Sequence, residues 1–241
     1  MNARRRLLLA PRTLALAVVV ALLAASVSPA AEPGTVKPFN GKDLTGWVLK
    51  GDPNRSQWTV GTAAMDPDNP RNLKVTPGGN ELINASGHGL DLYTEAKFGD
   101  AVIELEVMVP QGSNSGIYIM GEYEIQVLDS FGRKNLGMGD MGAIYGAAVP
   151  LLNACKEPGE WQKYVIEYQA PKFDEEGKKT ANARARKVTL NGQVIQDDVE
   201  IRGPGGGSVA GREAATGPLM FQGNHGAVAY RNITIKPLAA P

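Results

Sequence analysis

Residues 101–109, AVIELEVMV, place Ile103, Leu105, Val107 and Val109 on one side of an extended chain and Val102, Glu104, Glu106 and Met108 on the other. Alternation with period two fits a strand that buries one face and excludes an amphipathic helix. The pattern recurs. Ile117 and Ile119 alternate with Tyr118 and Met120, and after Gly121 the residues Tyr123, Ile125 and Val127 alternate with Glu122, Glu124 and Gln126. Trp161–Tyr168 and Lys187–Leu190 read likewise, and Asn191-Gly192 predicts a type I′ hairpin turn into Gln193–Ile195. Leu219–Gln222 and Ala227–Ile235 read as a further hairpin joined at Gly223–Gly226. No long stretch of period 3.6 follows the N-terminal segment. With 29 Gly and 16 Pro as punctuation, the pattern predicts an all-β sandwich of antiparallel strands in a single domain.

Between these strands, 51–79, 131–159 and 203–217 read as long loops. The third, GPGGGSVAGREAATG, lacks the Lys-Ser/Thr of a phosphate-binding loop and reads as either a mobile cover or a plain linker. Residues 172–187 are charged and read as a solvated hairpin tip.

The N-terminus reads differently. Arg4, Arg5 and Arg6 precede an apolar run from Leu14 to Ala25 and small residues from Ser26 to Ala31. This order predicts a signal peptide over 1–30, with cleavage before Ala31 and Ser28 as a second candidate for the −1 position. The mature chain, 31–241, then carries 21 basic and 25 acidic side chains. Such a balance offers no surplus to neutralise a phosphate backbone, which argues against general nucleic-acid binding. No later segment is apolar enough to span a bilayer, so the expected product is periplasmic or secreted, without stable membrane insertion. Cys155 is the single cysteine, so no intramolecular disulfide forms and the core must hold the fold.

Several residues carry candidate chemistry. Glu124 and Gln126 form a polar stripe on a strand whose other face is apolar, and Glu104 and Glu106 do the same on the earlier strand. If both strands share a sheet, their carboxylates line one surface suited to acid/base work on sugars; a plainly solvated face is the alternative. His88 and His225 each lie beside glycine on expected turns, with no metal-ligand spacing. Asp66-Pro67-Asp68-Asn69 offers oxygen ligands for Ca2+ or, more simply, an Asx-rich turn. Trp161 reads as core, whereas Trp47 and Trp58, near loops, are open to sugar stacking. Cys155 reads as a small buried filler.

Taken in order, FNGKDLTGW (39–47), LYTEAKFGDAVIELEVMVPQGSNSGIYIMGEYEIQVLDS (92–130), GAIYG (142–146), PGEWQKY (158–164) and GPLMFQGNHGAVAYRNITIKPL (217–238) form a set. Together they resemble the 3-keto-disaccharide hydrolase family. The resemblance implies a concanavalin A-like jelly roll whose concave side binds a small carbohydrate. It also implies site roles for Asn114, Ser115, Glu124, Gln126, Asp129, Tyr145, Gln222, His225 and Arg231, with Ser130 in the same matched segments. One departure is that many relatives read Gln-Asp-His-Gly near the last hairpin, where this chain has Gln222-Gly223-Asn224-His225-Gly226. A role held by that acid in relatives does not transfer.

The implied chemistry is cleavage of 3-keto-glycosides. A ketone at C3 acidifies the C2 proton, a base removes it, the C3 oxygen takes up negative charge, and the C1 substituent leaves by β-elimination before water adds back. His225 or Glu124 can serve as the base; Gln222, Tyr145, Arg231 or a divalent cation such as Ca2+ can stabilise the enolate. The alternative is a non-catalytic carbohydrate-binding module of the same fold. The leader generates the first prediction: N-terminal sequencing of the exported protein starts near Ala31, and intact Met1 in a soluble cytoplasmic pool would overturn it.

Overall fold

The computed structural model describes residues 34–238. The chain divides into Met1–Glu32 and Pro33–Pro241, and the expected leader, 1–30, lies outside the described residues. Fourteen strands follow one another: β1 (Trp47–Leu49), β2 (Trp58–Met65), β3 (Leu73–Asn84), β4 (Leu92–Thr94), β5 (Ala101–Met108), β6 (Asn114–Ile119) and β7 (Tyr123–Leu128). The second half holds β8 (Gln162–Gln169), β9 (Lys172–Phe173), β10 (Lys179–Ala181), β11 (Ala183–Leu190), β12 (Gln193–Ile201), β13 (Met220–Phe221) and β14 (Val228–Pro237). One 3-10 turn, Pro53–Arg55, is the only helical element among the described residues.

A seven-stranded sheet has the order β12-β11-β8-β5-β14-β3-β2 and a five-stranded sheet the order β1-β4-β13-β6-β7, with β9 and β10 as a separate hairpin. Every pairing is antiparallel. The inner faces meet through the apolar half of each alternation. Ile103, Leu105 and Val107 on β5 and Tyr164, Ile166 and Tyr168 on β8 share one core with Leu92, Ile117, Ile125 and Val127 of the other sheet. This is the jelly-roll sandwich that the alternation and the resemblance lead one to expect. Asn191 and Gly192, both at positive φ, form the β11–β12 turn.

Four aromatic rings run through this core. Trp47 stacks on Phe221 at 5.4 Å, Phe221 on Tyr230 at 3.8 Å with 8° between planes, and Trp58 lies 6.3 Å from Tyr230. Trp47 and Phe221 belong to the smaller sheet, Tyr230 and Trp58 to the larger. The polar ends are satisfied: the Tyr230 hydroxyl lies 2.9 Å from Ser115 Oγ, and Trp58 Nε1 donates to the Leu90 carbonyl at 2.6 Å. Both Trp47 and Trp58 are therefore core, and Trp161 is the half-buried one, on the outer face of the larger sheet.

Three expectations change. The segment 51–79 is mostly sheet: β2 and most of β3 pair across a bulge at Gly61/Thr62, and the small residues Gly61, Ala63 and Ala64 at the sheet edge obscure the alternation. Asp66 and Asn69 cap the intervening turn by accepting the Asp68 and Arg71 N–H groups at 3.0 and 3.1 Å. The last two strands form no hairpin, because β13 pairs with β4 and β6 while β14 pairs with β3 and β5. Residues 223–226 instead carry the chain from one sheet to the other. The carboxylate stripes also separate: Glu104 and Glu106 on β5 lie on the outside of the larger sheet, Glu124 on the smaller.

Since Phe221 touches both neighbours of the ring column, Phe221→Ala should lose about 3–5 kcal/mol of unfolding free energy. Urea denaturation measures it, and a loss below about 1 kcal/mol, the scale of an ordinary surface-to-core average, would show that the column is not a principal support.

Candidate functional site

Strand register across the five-stranded sheet arranges its open face into rows. Val48 pairs with Tyr93, Tyr93 with Met220, Met220 with Tyr118, and Tyr118 with Glu124. One step along the strands, Lys50 N–H donates to the Asp91 carbonyl, Gln222 N–H donates to the Gly116 carbonyl, and Gly116 faces Gln126. Period two puts Asn114, Gly116 and Tyr118 of β6 on this same face. Glu124, Gln126, Asn114 and Gln222 are thus brought together, and Tyr118, Asp91 and Lys50 join them.

Gly116 forms the floor. A Cβ there would collide with Glu124 Oε1 and approach Tyr118 Cε2 to 2.9 Å, so a side chain at this position would displace the carboxylate. On either side stand amides with unused acceptors. Gln222 donates from Nε2 to the Tyr118 hydroxyl at 3.3 Å, while its Oε1, like Gln126 Oε1 and Asn114 Oδ1, is buried without a hydrogen-bond partner among the described residues.

Residues 203–217 lie over this face as a cover. Tyr118 donates its hydroxyl to the Gly206 carbonyl at 2.9 Å, Lys50 Nζ reaches the Gly207 carbonyl, and Gly205 N–H donates to the Glu122 carbonyl at 2.8 Å. Glu124 is left 5% exposed. Burial pushes its carboxyl from the ordinary 4.5 up to about 7; the Tyr118 hydroxyl opposes the shift and the Asp91 charge reinforces it. Burial first, and then Glu124, push the Tyr118 phenol upward, so it stays a hydrogen-bond donor.

Asp91 organises the rim. Its Oδ1 accepts the Gly223 N–H at 3.1 Å and its Oδ2 lies 3.4 Å from Lys50 Nζ. Gly223 begins the crossing between sheets on which His225 is exposed, its Nδ1 against Asn224 Oδ1. There Gly226 packs onto Ser113 and Asn114 so closely that a Cβ would strike Ser113 Oγ, and Gly87 packs onto Gly226 in turn. The turns bearing His88 and His225, remote in sequence, therefore touch.

The other predicted residues lie elsewhere. Ser115 has odd parity on β6 and points into the sandwich, where its Oγ donates to the Gln222 carbonyl at 2.8 Å and meets Tyr230. Arg231 lies on the outer face of the larger sheet, 2.6 Å from Glu106 and 3.4 Å from Glu81, over the Trp161 ring at 4.0 Å. Its partners fix it there, away from Glu124. Asp129 uses both oxygens to shape turns, accepting Gly112 N–H at 2.8 Å and Phe131 N–H at 3.3 Å. Ser130 Oγ accepts the Met141 N–H at 2.9 Å and donates to Asp140. Tyr145 is exposed at the edge of β7, its N–H donating to the Glu124 carbonyl at 3.0 Å. Cys155 is half-buried and its thiol is pushed up by burial.

Sequence reasoning missed Tyr118, Asp91 and Lys50. For Tyr118 the signal was available, because it alternates in phase with Gly116 and pairs with Glu124 across one hairpin. Asp91 and Lys50 join through long-range strand order. Among the described residues, no group of three or more His, Cys, Asp or Glu is arranged to hold a metal ion.

The chain matches the 3-keto-alpha-glucoside-1,2-lyase-like domain over residues 34–236. No curated protein sequence matches it significantly. A structure from Parabacteroides distasonis ATCC 8503, provisionally assigned as a glycosyl hydrolase, is similar with TM-score 0.66 and 29% identity, over 86% of this chain and 84% of that one. A second protein from the same organism, with the same provisional assignment, has TM-score 0.57 and 19% identity, over 86% and 94%.

The raised Glu124 carboxyl makes a stability prediction. Its folded value lies above the unfolded 4.5, so the stabilising contribution of the proton is complete below pH 4.5 and is lost as pH rises toward 7. Glu124→Gln lacks this loss. Its unfolding free energy relative to wild type should therefore increase from pH 4 to pH 8, as paired urea titrations would show; a constant difference would mean an ordinary carboxyl.

Proposed function

Because the chain belongs to the 3-keto-alpha-glucoside-1,2-lyase-like family, a carbohydrate-active group, we propose that it is an exported enzyme that cleaves the C1 bond of 3-keto-glycosides or 3-keto-disaccharides. Glu124 is the base. The observation that carries this reading is a buried carboxyl near pH 7, held over Gly116 among amides and a phenol. A base whose pKa lies near the working pH combines an adequate ionised fraction with proton affinity.

In the proposed sequence, ionised Glu124 takes the C2 proton. The C2–H electron pair moves toward C3 and the C3 oxygen becomes negative. The Gln126 side-chain amide supplies a donor beside that oxygen, and the Tyr118 hydroxyl, which donates to the Gly206 carbonyl, can turn from it to serve as a second. The enolate then re-forms the ketone, the electron pair makes C1=C2, and the C1 oxygen leaves with a proton, for which protonated Glu124 is one source. Adding water across C1=C2, hydroxyl to C1 and hydrogen to C2, completes hydrolysis.

The deciding experiment incubates the protein with a 3-keto-glucoside and with its unoxidised parent. Only the first should turn over, and Glu124→Gln should lower the rate by about 10²-fold or more. In wild type, kcat/KM should climb with pH through about 7. Binding without turnover would instead select a carbohydrate-binding module. A comparable loss in His225→Ala, with Glu124→Gln unchanged, would move the base to the crossing turn.

A further inference from the structure

Beyond the Tyr118 row, the same sheet face continues toward the turn between β6 and β7 and opens into a cavity of about 500 Å3. That is within the ~300–1,000 Å3 usual for small-ligand sites. Val48, Tyr93, Met120 and Pro218 supply apolar and aromatic wall, and residues of the cover, Val209 to Thr216, close the other side. Glu122 is part of this wall and is 5% exposed. Its Oε1 accepts the Ala210 N–H at 2.9 Å, while its Oε2 is buried with no hydrogen-bond partner among the described residues. Lys97 and Arg212 line the cavity from exposed positions, and neither makes a hydrogen bond or ion pair with the described residues.

We infer that this cavity is a second sugar subsite, which takes a neutral hexopyranose ring. Resting on the function proposed above, the inference makes it the seat of the leaving half of a 3-keto-disaccharide. The chemistry of the wall selects this ligand. Two acids, Glu95 and Glu122, balance two bases, Lys97 and Arg212, so the cavity has no net charge to hold a strong ion. A pyranose offers hydroxyl donors to a carboxylate with one oxygen unpaired among the described residues, hydroxyl acceptors to Lys97 and Arg212, and an apolar ring face to Tyr93, Met120 and Pro218. Purely apolar ligands would leave the Glu122 oxygen unsatisfied.

Position gives the second argument. Tyr93 lines the cavity and belongs to the row that ends at Tyr118 and Glu124. The cover contacts Tyr118 at Gly206 and Glu122 at Ala210. One loop thus closes over both places, and the sheet face between them is continuous.

The test uses methyl α-D-glucopyranoside, which has no ketone, so its outcome is independent of whether the protein turns over 3-keto-sugars. Amide chemical shifts are followed by NMR in the mature protein. Saturating shifts at Gly121, Ala210 and Thr216 are expected in the millimolar range, in wild type and in Glu124→Gln alike. Ala214→Trp, which fills the cavity from its rim, should abolish them; Glu122→Gln, which keeps the Ala210 acceptor but removes the unpaired carboxylate oxygen, should weaken binding several-fold. If Ala214→Trp fails to give a folded spectrum, Glu122→Gln decides alone. Shifts confined to Gly116, Gln126 and Gln222, the absence of saturating shifts, or binding indifferent to Glu122→Gln would overturn the inference.

Discussion

The contact between Phe221 and Tyr230 is the joint on which the site depends. It is a near-parallel stack at 3.8 Å between residues of different sheets, separated by only the short crossing that carries the chain from one sheet to the other. An aromatic pair of this kind adds about 0.5–1.5 kcal/mol beyond the burial of its area. Its geometric effect is larger. With both rings fixed, and Ser115 bonded to the Tyr230 hydroxyl and the Gln222 carbonyl, Gln222 must project to the open face and His225 must stand at its rim.

Chemistry at Glu124 follows from what surrounds it more than from the carboxyl itself. Gly116 gives it a floor to lie on, Tyr118 stands beside it as a phenol, and under the glycine-rich cover it is left 5% exposed. Two successive backbone carbonyls of the cover meet side chains of the sheet face: Gly206 receives Tyr118 and Gly207 receives Lys50. Glycines suit this path because a larger residue at 207 would press on the Tyr118 hydroxyl, 2.9 Å from where its Cβ would stand. Desolvation under the cover raises the carboxyl toward neutrality, while Arg231, with two carboxylates and an indole on the opposite side of the molecule, contributes to surface packing there.

Much of the architecture was legible in the sequence. β5, β7 and β8 were found within a residue or so because each has a complete apolar half to bury, whereas β6 was read only from Ile117, three residues into a strand that starts at Asn114. Strand β2 was hidden, since Gly61, Ala63 and Ala64 give little contrast between faces, and the edge of a sheet demands little. Likewise the assumed hairpin at 223–226 failed because adjacency along the chain says nothing about which sheet each strand joins. Glu124, Gln126, Gln222 and Asn114 emerged on one face; Ser115 and Arg231 did not, the first by the parity of its position and the second by the sheet to which β14 belongs.

The sequence by itself determined the β class, the in/out phase of each well-alternating strand and the turn at Asn191-Gly192, because these are local consequences of side-chain periodicity and backbone sterics. Family membership was equally local, carried by ordered short segments. Tertiary structure alone decided that Glu104 and Glu106 face away from Glu124, that Asp91 and Lys50 meet Gln222, and that residues 203–217 form a cover. Strand order and long-range desolvation depend on which distant segments come together, and a carboxylate's proton affinity is set by that company.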